Sequence, residues 1–140
     1  MDAWTGLTVA VVMNAMPTDM ATLYASWVDA NPSKVNRLQE IISEVLGAFR
    51  QAVASNPVCE LNDDETTVPV AGFRHALNSV YHTLGMEMGM QFNAEVSSLL
   101  TRADIWVRMV AAGEINPLGD DVGAGTPSYE VPEPARGVLL

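Results

Sequence analysis

Apolar residues recur at helical spacing along most of this chain. The longest such stretch is KVNRLQEIISEVLGAFRQAVAS, from Lys34 to Ser55, whose apolar side chains repeat at intervals of three and four residues. This spacing predicts an amphipathic helix, with Ser33 placed to cap its N-terminus. The apolar positions are Val35, Leu38, Ile42, Val45, Phe49 and Val53. The charged positions, interpreted as a solvated face, are Lys34, Arg37, Glu40, Glu44 and Arg50.

Two shorter helices are predicted before this one. Thr8 is a candidate N-cap for the first, which ends before Pro17 because a residue ahead of a proline avoids helical geometry. The second begins at Thr18 or Asp19 and stops where a proline follows Asn31. One face of this second helix is formed by Met20, Leu23, Tyr24 and Trp27.

Two further helices are predicted after a loop of roughly a dozen residues that begins near Asn56. Pro69 stands at a first-turn position of the fourth helix, which ends close to Gly85. The fifth helix ends at Gly113, in the manner of a C-cap glycine. Its apolar seam, spaced as in a coiled coil, consists of Phe92, Val96, Leu99, Ala103, Trp106 and Val110.

The composition favours an all-α fold. Of the 140 residues, 49% are hydrophobic but only 6% are aromatic, which suits helix packing better than the aromatic and β-branched alternation of sheets. A chain of this length fits one domain of common size. We therefore expect a small bundle of about five helices within residues 1–113, followed by a long extended C-terminal arm over residues 114–140.

The predicted arm differs from the body in composition. It holds four prolines interspersed with four glycines, and such a stretch buries little surface by itself. Docking onto a partner in an extended form would bury its scattered apolar side chains. The arm residues predicted to bind a partner are Leu118, Tyr129, Val131, Leu139 and Leu140. A second and weaker candidate contact is the acidic loop formed by Asp63, Asp64 and Glu65.

The sequence contains no pattern typical of a catalytic or metal site. His75 and His82 are two helical turns apart, about 10.5 Å, which is too far for two imidazoles to share a metal ion. Residues 63–65 lack the interleaved ligands and the glycine of a calcium loop, and Cys59 has no basic neighbour to activate it. Nucleotide-binding and hydrolase motifs are also absent. We expect no enzyme activity, no metal and no cofactor.

The net charge and the cysteine content limit which partners and which cellular compartment are expected. A formal net charge of −10 disfavours tight binding of nucleic acid, which needs Lys and Arg against phosphates. The single cysteine cannot form an internal disulfide, and no secretory leader opens the sequence, so an intracellular origin is expected. The longest apolar run, residues 9–13, is far shorter than the ~20 residues of a membrane-spanning helix, so no membrane association is expected.

The order of four short motifs resembles the head-to-tail connector, or adaptor, proteins of tailed bacteriophages. WTGLT lies near the start, and GAFRQAVAS ends the long helix. TVP opens the fourth helix, and WVRMVAAG ends the last one. The likeness extends from Trp4 to Gly113.

This resemblance implies a structural protein of the virion neck, made in the cytoplasm of a host bacterium. It implies that the chain binds the portal protein and joins sibling subunits in a homo-oligomeric ring, commonly a dodecamer. The ring would prolong the channel through which DNA passes without specific binding, and would contact other neck or tail proteins. The arm would dock on the portal or on a neighbouring subunit.

Two other interpretations stay open. Another phage neck or head-completion protein, such as a stopper or a tail terminator, would be expected to contain more β structure. A cellular helix-bundle module that regulates or binds one partner through its arm would be a monomer or a dimer.

Overall fold

The computed structural model describes residues 3–118, and these form a mostly helical body. Its five α-helices confirm the predicted all-α fold. A two-stranded antiparallel sheet and a short 3-10 helix, Pro32–Lys34, complete the described part of the chain. The elements in chain order are β1 (Trp4–Gly6), α1 (Val9–Ala15), α2 (Thr18–Ala30), α3 (Arg37–Ser55), β2 (Thr67–Pro69), α4 (Val70–Glu87) and α5 (Ala94–Ala111).

The three longest helices, α3, α4 and α5, form the centre of the fold, since each packs against the other two. α1 and α2 lie at the edge of this group and contribute Val12 and Met20 to the core. Burying a large aliphatic side chain stabilises the fold by about 1.5–3 kcal/mol. The largest fully buried side chains of the three central helices are Leu38, Ile41, Ile42, Leu77 and Leu84.

Local sequence signals explain several helix ends. The Thr8 hydroxyl accepts a hydrogen bond from the Val11 backbone N–H at 3.3 Å and caps α1, as predicted. Gly113 follows α5 with a φ of +78°, and its N–H donates to the Val110 carbonyl oxygen at 3.0 Å. This geometry confirms the predicted C-cap glycine, because a left-handed residue there closes the last turn. Gly89, with a φ of +83°, ends α4 in the same way.

The start of the long helix differs from the prediction. α3 begins at Arg37, and Ser33 lies inside the 3-10 helix, so Ser33 is not its N-cap. Pro32 accounts for this change because it occupies the first position of that short helix, where a missing N–H costs nothing. Val35 therefore precedes α3 and is 58% exposed, whereas the other five predicted apolar positions are buried.

The two-stranded sheet is not predicted from the sequence. β1 and β2 pair with the register Trp4↔Pro69, Thr5↔Val68 and Gly6↔Thr67. Pro69 is thus the last residue of β2, directly before α4, rather than part of the first turn of α4. The pairing fastens the N-terminal segment to the start of α4. No helix within residues 3–118 is long and apolar enough to cross a membrane.

Candidate functional site

The four short motifs WTGLT, GAFRQAVAS, TVP and WVRMVAAG meet in space. WTGLT and TVP supply β1 and β2, which pair directly. The Trp106 ring of WVRMVAAG stacks on Phe49 of GAFRQAVAS, with ring centroids 5.7 Å apart. Trp4 packs on a small buried cluster that includes Val53 and Val110. We call the set Trp4, Phe49, Arg50, Thr67 and Trp106 the motif junction.

Arg50 joins the motif junction to the loop between α3 and β2. Its Nη1 donates to the Thr67 carbonyl oxygen at 2.9 Å, and its Nη2 donates to the Asn62 carbonyl oxygen. The guanidinium also lies over the Trp4 ring, 5.7 Å from its centroid. Arg50 is only 9% exposed, so the prediction that it belongs to a solvated face is wrong. The loop folds over this side of α3 and, together with β2, supplies the acceptors that a buried guanidinium requires.

The acidic loop lies at the surface, with Asp63, Asp64 and Glu65 all exposed. The Asp64 carboxylate accepts hydrogen bonds from the Thr66 backbone N–H at 3.0 Å and from the Thr66 hydroxyl at 2.7 Å. These bonds lower the pKa of Asp64, because they favour its charged form. Asp64 therefore shapes the turn, and Asp63 and Glu65 line a depression next to Arg50.

The first residues after α5 pack against the body. Asn56, which is 3% exposed, donates its side-chain amide to the carbonyl oxygens of Val110 at 2.8 Å and Ile115 at 3.1 Å. Pro117 is buried and Leu118 is half-buried. The structure thus places Leu118, a predicted partner contact, beside the body of its own chain. The other predicted arm contacts lie outside the described residues: Tyr129, Val131, Leu139 and Leu140.

Cys59 lies close to this segment. Its thiol donates a hydrogen bond to Oδ1 of Asn116 at 3.3 Å. Partial burial raises the pKa of the Cys59 thiol, while a backbone hydrogen bond with Leu118 acts in the opposite direction. A raised pKa reduces the fraction of reactive thiolate, so this environment suits a packing residue better than a nucleophile.

The two histidines contact aromatic rings. The His75 ring lies 5.8 Å from the Trp106 ring, and the His82 ring stacks on Phe92 at 4.9 Å. Burial, followed by the nearby positive charge of Arg102, lowers the pKa of His75. Among residues 3–118, no group of three or more His, Cys, Asp or Glu side chains is arranged to hold a metal ion.

An ion-pair cluster connects the start of α3 with the end of α4. Arg37 Nε lies 2.9 Å from both carboxylate oxygens of Glu87, and Arg37 Nη1 lies 3.3 Å from Glu40 and 3.2 Å from Glu44. The hydrogen bonds from Arg37 lower the pKa of Glu87, and the same bonds raise that of Arg37. The three-residue spacing of Arg37 and Glu40 indicates their contact, but the sequence contains no signal for the pairing of Arg37 with Glu87 of α4.

α1 exposes apolar side chains as well as burying one. Val12 is fully buried in the core, whereas Val9 and Met13, one turn apart on the flank next to Val12, are 36% and 38% exposed. Asn14 is the only polar residue among its seven. A helix that is apolar all round is normally buried on all sides. The outward face of α1, formed by Val9 and Met13, therefore has the composition of an interface.

Comparison of the chain with known protein families, curated proteins and solved structures finds no match. The candidate contact surfaces therefore come from the structure of this chain itself. They are the outward face of α1, the acidic loop and the segment that follows α5.

Proposed function

We propose that this chain is a head-to-tail adaptor of a tailed bacteriophage, a structural protein of the virion neck that forms a ring beneath the portal. The proposal rests on the resemblance carried by its four motifs, which form one packed unit in the structure. The observation that carries the assembly part of the proposal is the outward apolar face of α1.

Ring formation gives that face a partner. In a closed ring, each subunit presents one surface to the neighbour on one side and a different surface to the neighbour on the other side. Burying Val9 and Met13 against a sibling subunit would add hydrophobic stabilisation at every repeat of the interface. In the isolated chain, both side chains stay partly in water.

The charge of the body suits a channel for DNA. Residues 3–118 contain twelve Asp and Glu against six Lys and Arg, which gives a net charge of −6. Two of the cations are engaged within the fold, since Arg50 binds carbonyl oxygens and Arg37 binds carboxylates. A surface of this sign repels phosphates, so DNA would move past it without specific binding.

The attachment to the portal is assigned to the C-terminal arm, with the acidic loop as a second contact. Because residues up to Leu118 pack on the body, the part of the arm proposed to reach the portal or a sibling subunit begins after Leu118. Its predicted anchors are Tyr129, Val131, Leu139 and Leu140.

A charge placed on the outward face of α1 tests the proposal. Met13→Asp should prevent ring formation on the portal while leaving the body folded, because the face is exposed in the isolated chain. Ile105→Asp is a matched control, since Ile105 is a similarly exposed apolar residue, at 42%, on α5. Portal complexes of both variants would be weighed by light scattering and imaged by electron microscopy. Rings of normal occupancy with Met13→Asp would remove α1 from the subunit interface.

A further inference from the structure

An apolar groove lies between the start of α2, the second half of α4 and the first turns of α5. Its volume is about 390 Å³, within the range of roughly 300–1,000 Å³ typical of binding pockets. Met20, Tyr81, Phe92, Val96 and Leu99 supply most of its apolar lining. The stacking of His82 on Phe92 forms part of its wall, and no residue of α1 lines it.

The walls of the groove are fixed by local packing. Phe92 packs close to Gly85, where an added Cβ would collide with the Phe92 ring, and it stacks on His82 at 4.9 Å. The Tyr81 hydroxyl donates to the Val12 carbonyl oxygen at 2.9 Å, which holds that ring in place. The two methionines of the lining, Met20 and Met90, are flexible enough to adapt to an inserted side chain. The groove is therefore preformed but adaptable.

The end of this chain has matching chemistry. Residues 136–140 read Arg-Gly-Val-Leu-Leu, which places three aliphatic side chains after one cation. Asp19 is the acidic residue of the groove lining and can pair with Arg136. The preceding stretch, residues 119–134, carries four carboxylates and no Lys or Arg, so Asp19 would repel it. Charge and apolar content thus favour residues 136–140 over the rest of the arm.

The segment is also within reach. Leu99 in the groove and Ala111 at the end of α5 are separated by twelve residues, about 18 Å along the helix. Residues 119–135 provide seventeen residues of connection, which can extend to about 56 Å. A tethered segment has an effective concentration in the millimolar range, about a thousandfold above that of a free subunit at micromolar concentration. The segment of the same chain is therefore the favoured occupant.

We propose that residues 136–140 bind in this groove within a single subunit. The docked segment is a stored form of the arm: Leu139 and Leu140 are covered until a partner offers them a better site. The proposal concerns the isolated chain and does not depend on the adaptor role.

Amide chemical shifts of the full-length chain test this docking. The double variant Leu139→Ser, Leu140→Ser leaves the described body unaltered, and Val122→Ser is a matched control in the same arm but outside the segment. We expect the double variant to shift the amide signals of Phe92, Val96 and Leu99 several-fold more than the control, to the same extent at every protein concentration.

Two results would overturn the proposal. Groove signals that move no more than in the control would mean that the segment does not dock. Groove signals of the unsubstituted chain that change on dilution would mean that a second copy supplies the segment. Because no portal is present in this experiment, its failure is distinguishable from a failure of the adaptor role.

Discussion

Arg50 Nη1 donates to the carbonyl oxygen of Thr67 at 2.9 Å and thereby links the middle of α3 to the strand that leads into α4. The same guanidinium binds the Asn62 carbonyl oxygen and covers the Trp4 ring. One side chain thus connects α3, the loop that precedes β2 and the sheet. It also explains how three-residue strands, which are too short to be stable alone, keep their place.

Replacing Arg50 should destabilise the body strongly. Arg50→Leu leaves two carbonyl oxygens without their charged donor, and we expect the free energy of unfolding to fall by about 2–4 kcal/mol. Arg50→Lys should recover only part of this loss, because an ammonium cannot reproduce the planar fork. Urea denaturation of both variants measures the effect. Arg74→Leu, at an exposed position of α4, is the control and should stay within about 0.5 kcal/mol.

Two glycine substitutions should have opposite effects. A Cβ at Gly72 would lie 2.7 Å from Cζ3 of Trp106, so Gly72→Ala should lower stability by roughly 1–3 kcal/mol through overpacking. A Cβ at Gly47, in the exposed middle of α3, meets nothing within 4 Å. Gly47→Ala should therefore raise stability by about 0.5–1 kcal/mol, since alanine favours the helix. Thermal unfolding measures the change in stability of each variant. A change of the same sign in both variants would contradict the packing of α4 on α5.

The central helices could be predicted from the sequence because their apolar spacing is regular over four or five turns. Thr8 and Gly113 were also predictable, since a capping hydroxyl and a left-handed glycine act within one turn of the chain. The 3-10 helix is missed because Pro32 offers an alternative start two residues after Ala30, and Ser33 then lies too early to cap α3.

Contacts between residues that are far apart in the sequence could not be predicted. β1 and β2 are too short to show alternation, and they are joined only by tertiary packing. Arg50 follows the charged pattern of α3, and nothing local indicates that the loop covers it. The outward face of α1 did carry a signal: residues 9–13 are apolar at every position, which a helix with one buried side does not require.

The pairing of Glu87 with Arg37 should make the stability of the body decrease at acidic pH. Hydrogen bonds from Arg37 hold the pKa of Glu87 below its ordinary value of 4.5. The stability that this ion pair contributes is therefore present above pH 4.5 and is lost as the pH falls through the lowered pKa of Glu87. Melting temperatures at pH 7 and pH 3 should differ less for Glu87→Gln than for the unsubstituted chain. Glu60→Gln, in the exposed loop, is the control, and an unchanged difference in Glu87→Gln would contradict the role of this pair.

Two truncations should distinguish the residues that stabilise the body from those that attach the chain to the portal. Ending the chain after Leu118 keeps the contacts of Ile115 and Pro117 and removes only those of the docked segment 136–140, so the melting temperature should fall less than after truncation at Gly113. Ending it after Gly113 removes the Ile115 carbonyl oxygen that Asn56 binds, which should cost about 1–3 kcal/mol, although the helical body should still fold. Both truncations should weaken binding to the portal. Unchanged portal binding after truncation at Leu118 would rule out the arm as the attachment.

The mass of the purified chain, measured by light scattering after size separation, tests the adaptor role most directly. The protein would be measured alone and after mixing with the portal from the same genome. The account predicts that the portal peak gains the mass of a full ring of subunits, whether or not the chain forms rings by itself. A monomer or dimer that leaves the mass of the portal unchanged would contradict the adaptor role and would favour a regulatory helix-bundle module.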